Sequence, residues 1–312
     1  MIYSVTVNPA LDKTVIIPNF TSCGVNRVQS LRTDAGGKGI NVSKYIAVMG
    51  GESTALALLA GEVGKGIFSF LEQQPGITPQ AVWCSGETRT NLKIVDPARK
   101  INIDINEPGP AVTDEDLAGL LELLLGGLKP GDNVVLAGSL PSNAPASLYR
   151  DWTIQCRQRG ACVFLDADGE ALRLGLEAKP DLIKPNRDEL SALVGRPLAD
   201  EPDILNAARE ISADGVRYIV VSMSDAGALF LSGNKALRAY TADVPVRSTV
   251  GAGDSMVAAL AYGAQQGMSW EDQARLAMAF SSAKVMCGGT QAPAFETVKT
   301  LFDQIKILEV SG

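Results

Sequence analysis

Asp254 closes the run Ser248-Thr249-Val250-Gly251-Ala252-Gly253-Asp254, and Ser255 leads from it into apolar residues 256–264 in a helical pattern. A small-residue turn opening a helix leaves several backbone N–H groups unpaired at the positive end of the helix dipole, which makes it an anion site. A carboxylate at its edge can take the proton from an attacking hydroxyl. The N–H groups of Gly251, Ala252 and Gly253 would meanwhile hold the charge on a transferred phosphoryl group. The alternative is a plain helix start, with Asp254 as a capping residue. The chain contains no histidine, which excludes imidazole bases, Ser-His-Asp triads and His-ligated metals. Any general base must be a carboxylate, a cysteine or a lysine.

A second glycine cluster, Ala35-Gly36-Gly37-Lys38-Gly39-Ile40-Asn41, also feeds an apolar-periodic segment (Val42, Ile46, Ala47, Met49). Glycine lets a ligand approach the backbone, and Lys38 and Asn41 supply a cation and an amide for sugar hydroxyls or phosphate. Neither cluster has the spacing of a P-loop or a dinucleotide fingerprint. Their order along the chain resembles the two signatures of the PfkB family of ribokinase-like sugar kinases. The resemblance extends through Gly138-Ser139-Leu140-Pro141, Lys184-Pro185-Asn186-Arg187-Asp188-Glu189 and Val220-Val221-Ser222-Met223, and begins at Asn8-Pro9-Ala10-Leu11-Asp12.

The resemblance implies an α/β fold: an open, mostly parallel sheet with helices on both faces, plus a small β-sheet lid. It implies MgATP as phosphoryl donor and a sugar phosphate as acceptor, with Asp254 as base. For the sugar it implicates Asp12, Gly37, Lys38 and Asn41. Arg89 is the choice for the substrate's phosphate, because a guanidinium fork matches phosphate oxygens; Arg27 and Ser139 come second. Lys184, Asn186, Ser222, Gly227, Gly253 and Gly289 are expected along the nucleotide. Glu189 is expected at Mg²⁺, through water, with a capping pair as the other reading of Asn186 and Glu189. A potassium ion held by backbone carbonyls near Gly289 is a further implication. The family often has glycine where Ser224 stands. Within the family the motifs resemble the sugar-phosphate branch, with fructose 1-phosphate as the expected acceptor and tagatose 6-phosphate or fructose 6-phosphate as alternatives. A non-catalytic sugar-phosphate-binding regulator is the alternative of another class.

Composition agrees with an enzyme of this kind. The chain has 312 residues, 46% hydrophobic and 20% charged, enough for a large buried core. Its net charge of −7 comes without a basic block, so no nucleic-acid partner is expected, and an anionic substrate must meet a local cluster drawn from Arg27, Lys38, Arg89 and Lys93. No apolar run is long enough to span a membrane, and five scattered cysteines suggest reduced thiols; a cytoplasmic protein is expected.

Continuous apolar runs at 133–137, 162–166, 181–184 and 218–222 read as strands of a parallel sheet covered on both faces, ending in polar residues where open α/β folds bind ligands. Residues 11–33 and 87–107 alternate instead and read as an antiparallel appendage, the lid, with one face apolar enough to pair in a homodimer. Residues 1–10, 34–86 and 108–312 are then the α/β domain.

Overall fold

A computed structural model describes residues 1–310. In chain order its strands are β1 (Ile2–Thr6), β2 (Ala10–Ile16), β3 (Ser30–Gly36), β4 (Ser53–Ala60), β5 (Ile77–Cys84), β6 (Arg89–Asp96), β7 (Ile101–Asn106), β8 (Asn133–Ala137), β9 (Cys162–Asp166), β10 (Leu182–Ile183), β11 (Tyr218–Ser222), β12 (Ala228–Ser232), β13 (Lys235–Ala239) and β14 (Ile307–Val310). Ten of them form one sheet in the order β14-β13-β12-β11-β10-β9-β8-β1-β4-β5. The stretch from β11 to β5 is parallel; β12, β13 and β14 are antiparallel. Two large apolar clusters, one on each face, bury the sheet under helices. The apolar runs are therefore continuous because both faces of these strands are covered. β10 is only two residues long, since Pro185 cannot donate to the ladder.

The other four strands form a separate sheet, ordered β3-β2-β6-β7. The expected antiparallel appendage is corrected here: β2 and β6 run parallel, flanked by antiparallel β3 and β7. The reason lies in the main sheet. β1 and β5 run in the same direction there, and β2 and β6 continue them past the same edge. Register gives this sheet two unlike faces. One aligns Asp12, Asn91 and Asn106, then Thr14, Lys93 and Asp104; the other aligns Leu31, Val15, Ile94 and Ile103. The polar face looks into a cavity at the carboxyl edge of the large sheet.

Candidate active site

Two helix starts and the polar face of the small sheet enclose a cavity of about 350 Å³. Asp12, Gly37, Lys38, Asn41, Arg89, Ser139, Asp254 and Gly289, all singled out from the sequence, line it. Asp254 lies in the first turn of the Ala252–Gln265 helix, whose N-cap, Gly251, has a φ of 78° and no side-chain cap. The amide of Ala252 is already committed, donating to Thr249 O at 3.2 Å. It therefore leaves the expected set of anion donors, and the amides of Gly251, Gly253 and Asp254 remain as the open donors of this helix start.

The carboxylate of Asp254 is 8% exposed. Asn41 Nδ2 donates to its Oδ2 at 2.8 Å, and Lys44 Nζ fixes the amide's orientation by donating to Asn41 Oδ1 at 3.2 Å. Burial, with the nearby charge of Asp166, lifts the Asp254 carboxyl above its usual range, against the pull of Lys38, the Asn41 hydrogen bond and Lys184. The group is thereby a better proton acceptor than an exposed carboxylate, and its Oδ1 is left for a substrate hydroxyl.

Asp166, at the end of β9, is the counter-ion of the site. Its Oδ1 lies 3.4 Å from Lys38 Nζ and 3.5 Å from Lys184 Nζ. Burial alone would raise its carboxyl, but Lys184 and Lys38 outweigh burial and hold it below the usual range. Asp166 in turn leads the influences that raise the Lys38 ammonium, so that lysine stays charged beside the open amides. A methyl group at Gly253 would stand 3.0 Å from Lys184 Nζ, which places that ammonium against the helix start.

Across the cavity, Asn91 Nδ2 donates to Asp12 Oδ1 at 3.0 Å. Arg89 donates from its two terminal nitrogens to Glu107 O and Asn8 O, both at 3.1 Å, while its Nε is buried without a partner. Thr6 Oγ1, Asn8 Oδ1, Asn91 Oδ1 and Thr290 Oγ1 are likewise buried and unpartnered at the cavity. Buried polar atoms without partners cost free energy unless a ligand satisfies them. Their concentration here indicates a small polyhydroxylated or anionic ligand. Lys93 is less available, being paired to Asp104 at 2.9 Å.

The remaining expected residues fall in three places. Asn186 and Ser222 meet across an isolated bridge and line a neighbouring cavity of about 580 Å³, together with Ser224. Ser224 has φ 54°, a left-handed conformation that explains why glycine suits this position. Gly227 has φ 94° and a methyl group there would collide with Ala239 O. Asn186 and Glu189 form a reciprocal capping box: Glu189 N–H donates to Asn186 Oδ1 at 2.8 Å, and Asn186 N–H to Glu189 Oε2 at 2.7 Å. Glu189 Oε1 is left over. Arg27 is exposed in the 17–29 connection and is not among the residues that line the Asp254 cavity. At Gly289, where a potassium ion was expected, Lys284 Nζ donates to the carbonyl oxygen at 2.7 Å.

Sequence reasoning missed Asn91, Asp166 and Lys44. Asn91 follows Arg89 by two residues and so shares its face of a strand, a signal that was readable. Asp166 ends a strand run, but its two lysines come from distant segments.

No cluster of three carboxylate or cysteine side chains able to hold a metal occurs among the described residues, and no described helix is long and apolar enough to cross a membrane. The 1-phosphofructokinase of Rhodobacter capsulatus is 41% identical over 304 residues, covering 96% of this chain and 95% of that one. Phosphofructokinase-2 from Escherichia coli in complex with substrates and products superposes with a TM-score of 0.93 at 31% identity, covering 97% and 98% of the two chains. The same enzyme in complex with potassium gives 0.92 at 31% identity, with the same coverage. The profile of the pfkB family carbohydrate kinases matches residues 6–297, and with the Gly-Ala-Gly-Asp helix start and the polar cavity beneath the small sheet, this chain belongs to that family.

Proposed function

We propose that the protein transfers the γ-phosphoryl group of ATP to the C6 hydroxyl of fructose 1-phosphate, giving fructose 1,6-bisphosphate. The observation that carries this reading is the pairing in one cavity of Asp254, at open helix-start amides, with Arg89, a half-buried cation held only by carbonyl oxygens. One end can activate a hydroxyl and the other can hold a phosphate, so the acceptor is already phosphorylated. The likeness to 1-phosphofructokinases supports fructose 1-phosphate in particular.

In the reaction, Asp254 Oδ1 accepts the hydroxyl proton as the oxygen attacks phosphorus. The amides of Gly251 and Gly253, with Lys38 and Lys184, take up the charge of the moving group. Catalysis here is mainly positioning and charge stabilisation. Asp12, braced by Asn91, and Asn41 orient the sugar hydroxyls; burial raises the Asp12 carboxyl against the Asn91 hydrogen bond. The nucleotide occupies the side of Lys184, Asn186, Ser222 and Gly227. Mg²⁺ needs few protein ligands, and the residues present fit it: Glu189 has a free oxygen for a metal-bound water, and Asp166 Oδ2 is buried without a partner. When bound, the ion neutralises phosphate charge.

We assign the four-stranded sheet the role of a lid. Its outer face exposes Leu31, Ile101 and Ile105, at 54%, 41% and 50%, an apolar surface suited to a second copy of the chain. Five unpaired cysteines support a reducing, cytoplasmic setting.

The test of acceptor identity is kcat/KM for fructose 1-phosphate, tagatose 6-phosphate and fructose 6-phosphate under identical MgATP, with fructose 1-phosphate expected to lead by tenfold or more. Leadership by either of the others by that margin would overturn the acceptor and leave the kinase chemistry standing. Arg89→Ala should raise KM for the sugar phosphate by roughly 10–150-fold, the equivalent of losing about 1.5–3 kcal/mol of charge-assisted contact. KM for ATP should stay near its original value. Equal changes in both would place the phosphate elsewhere.

A further inference from the structure

Lys284 lies at the end of the Trp270–Val285 helix with no exposed surface. The other lysine buried among the described residues, Lys184, has a carboxylate partner; Lys284 has none within ion-pair distance. Its ammonium donates to Gly289 O at 2.7 Å, in the loop that closes the substrate cavity. Its stem lies against the other wall of the site: a methyl group at Gly251 would stand 3.3 Å from Lys284 Cε and 2.5 Å from Tyr45 Oη. The ammonium therefore sits between the 287–290 loop and the start of the Asp254 helix.

A buried cation with one carbonyl partner is costly, and a methionine would fill the same space without that cost. Packing does not account for a lysine at this position. A fixed positive charge behind the open amides reinforces the field that holds a phosphoryl group, and the tether to Gly289 sets the distance between the two loops. We propose that Lys284 is a positioning residue for phosphoryl transfer, an internal cation that holds the Gly251 turn and the Gly289 loop together and makes a diffusible monovalent cation unnecessary.

The inference rests on the kinase reading, and its test separates the two. ADP release by the full chain, with fructose 1-phosphate and MgATP, is measured in tetramethylammonium buffer and again with KCl. At pH 7 the native protein is expected to change by less than about twofold. Lys284→Met should lose roughly 10–100-fold in kcat, with little change in KM and a Tm unchanged or raised. Added KCl should restore part of that loss.

A pH profile gives a second readout that does not need the variant to fold. Burial pulls the Lys284 ammonium down to about 8, with Cys287 and Asp254 opposing and Lys44 and Arg32 assisting. The protonated form is the working one, so kcat in potassium-free buffer should fall as pH rises through that value, and KCl should flatten the fall. Activation of the native protein by KCl beyond about fivefold at pH 7, a Lys284→Met variant with native kcat in potassium-free buffer, or an alkaline limb that KCl leaves unchanged would each overturn the inference. Absence of ADP release from the native protein in either salt would overturn the kinase reading and this inference with it.

Discussion

Asp254→Asn is expected to lower kcat by roughly 10²–10⁴-fold, the usual consequence of losing a general base. The substitution keeps shape and burial, and the new amide can still present its oxygen to Asn41 Nδ2, so the surrounding geometry persists. What disappears is the acceptor for the hydroxyl proton. Because that proton moves only in the transition state, binding of ATP and of the sugar phosphate should be nearly unchanged. Calorimetric titration of each substrate and chemistry-limited kcat at saturation test the two halves separately. The native acid limb supplies a further check. Asp254 works ionised and its carboxyl is raised, by burial first and then by Asp166; kcat should therefore fall with decreasing pH earlier than for an ordinary carboxylate. The variant should lack that limb. A variant with native kcat would remove Asp254 from the chemistry.

Gly251→Ala should cost roughly 10²–10³-fold in kcat, comparable to losing one aligned donor of an anion hole. Two independent penalties meet at this residue. Its φ of 78° is left-handed, a conformation that costs any residue with a Cβ. The added carbon would also stand 2.5 Å from Tyr45 Oη, an atom buried without a partner in closely packed surroundings. Either the turn or the tyrosine must shift, and a shift of the turn misaims the amides of Gly251 and Gly253. Adding Tyr45→Phe removes the atom in the way, so the double variant should recover part of the loss. Equal kcat for single and double variants would show that collision with Tyr45 is not the cause.

The helix starts at the two glycine clusters were legible because they are local: turn, helix start and Asp254 are contiguous, and the dihedral demands of Gly251 follow from that turn. The parallel core strands were legible for the same reason, each being a short apolar run ended by polar residues. Several of the features that local pattern did not show depend on pairing between distant segments. The parallel register of β2 with β6 is inherited from β1 and β5, which no local pattern records. Arg27 looked like a phosphate ligand by residue type, yet its connection leaves it exposed. Ala252 has the right position for an anion donor, but its N–H closes a turn onto Thr249. Asp166 meets Lys38 and Lys184 from other segments, and Lys284 packs against the distant Gly251 turn, so the significance of each appears only once the fold brings these segments together.

The most direct measurement of the central claim is product analysis by ³¹P and ¹³C NMR after incubating the protein with fructose 1-phosphate and MgATP. The account predicts ADP and fructose 1,6-bisphosphate in equal amounts, with the new phosphate on C6, and none of either with Asp254→Asn over the same interval. Release of inorganic phosphate without a bisphosphate, or no consumption of ATP by the native protein, would contradict it.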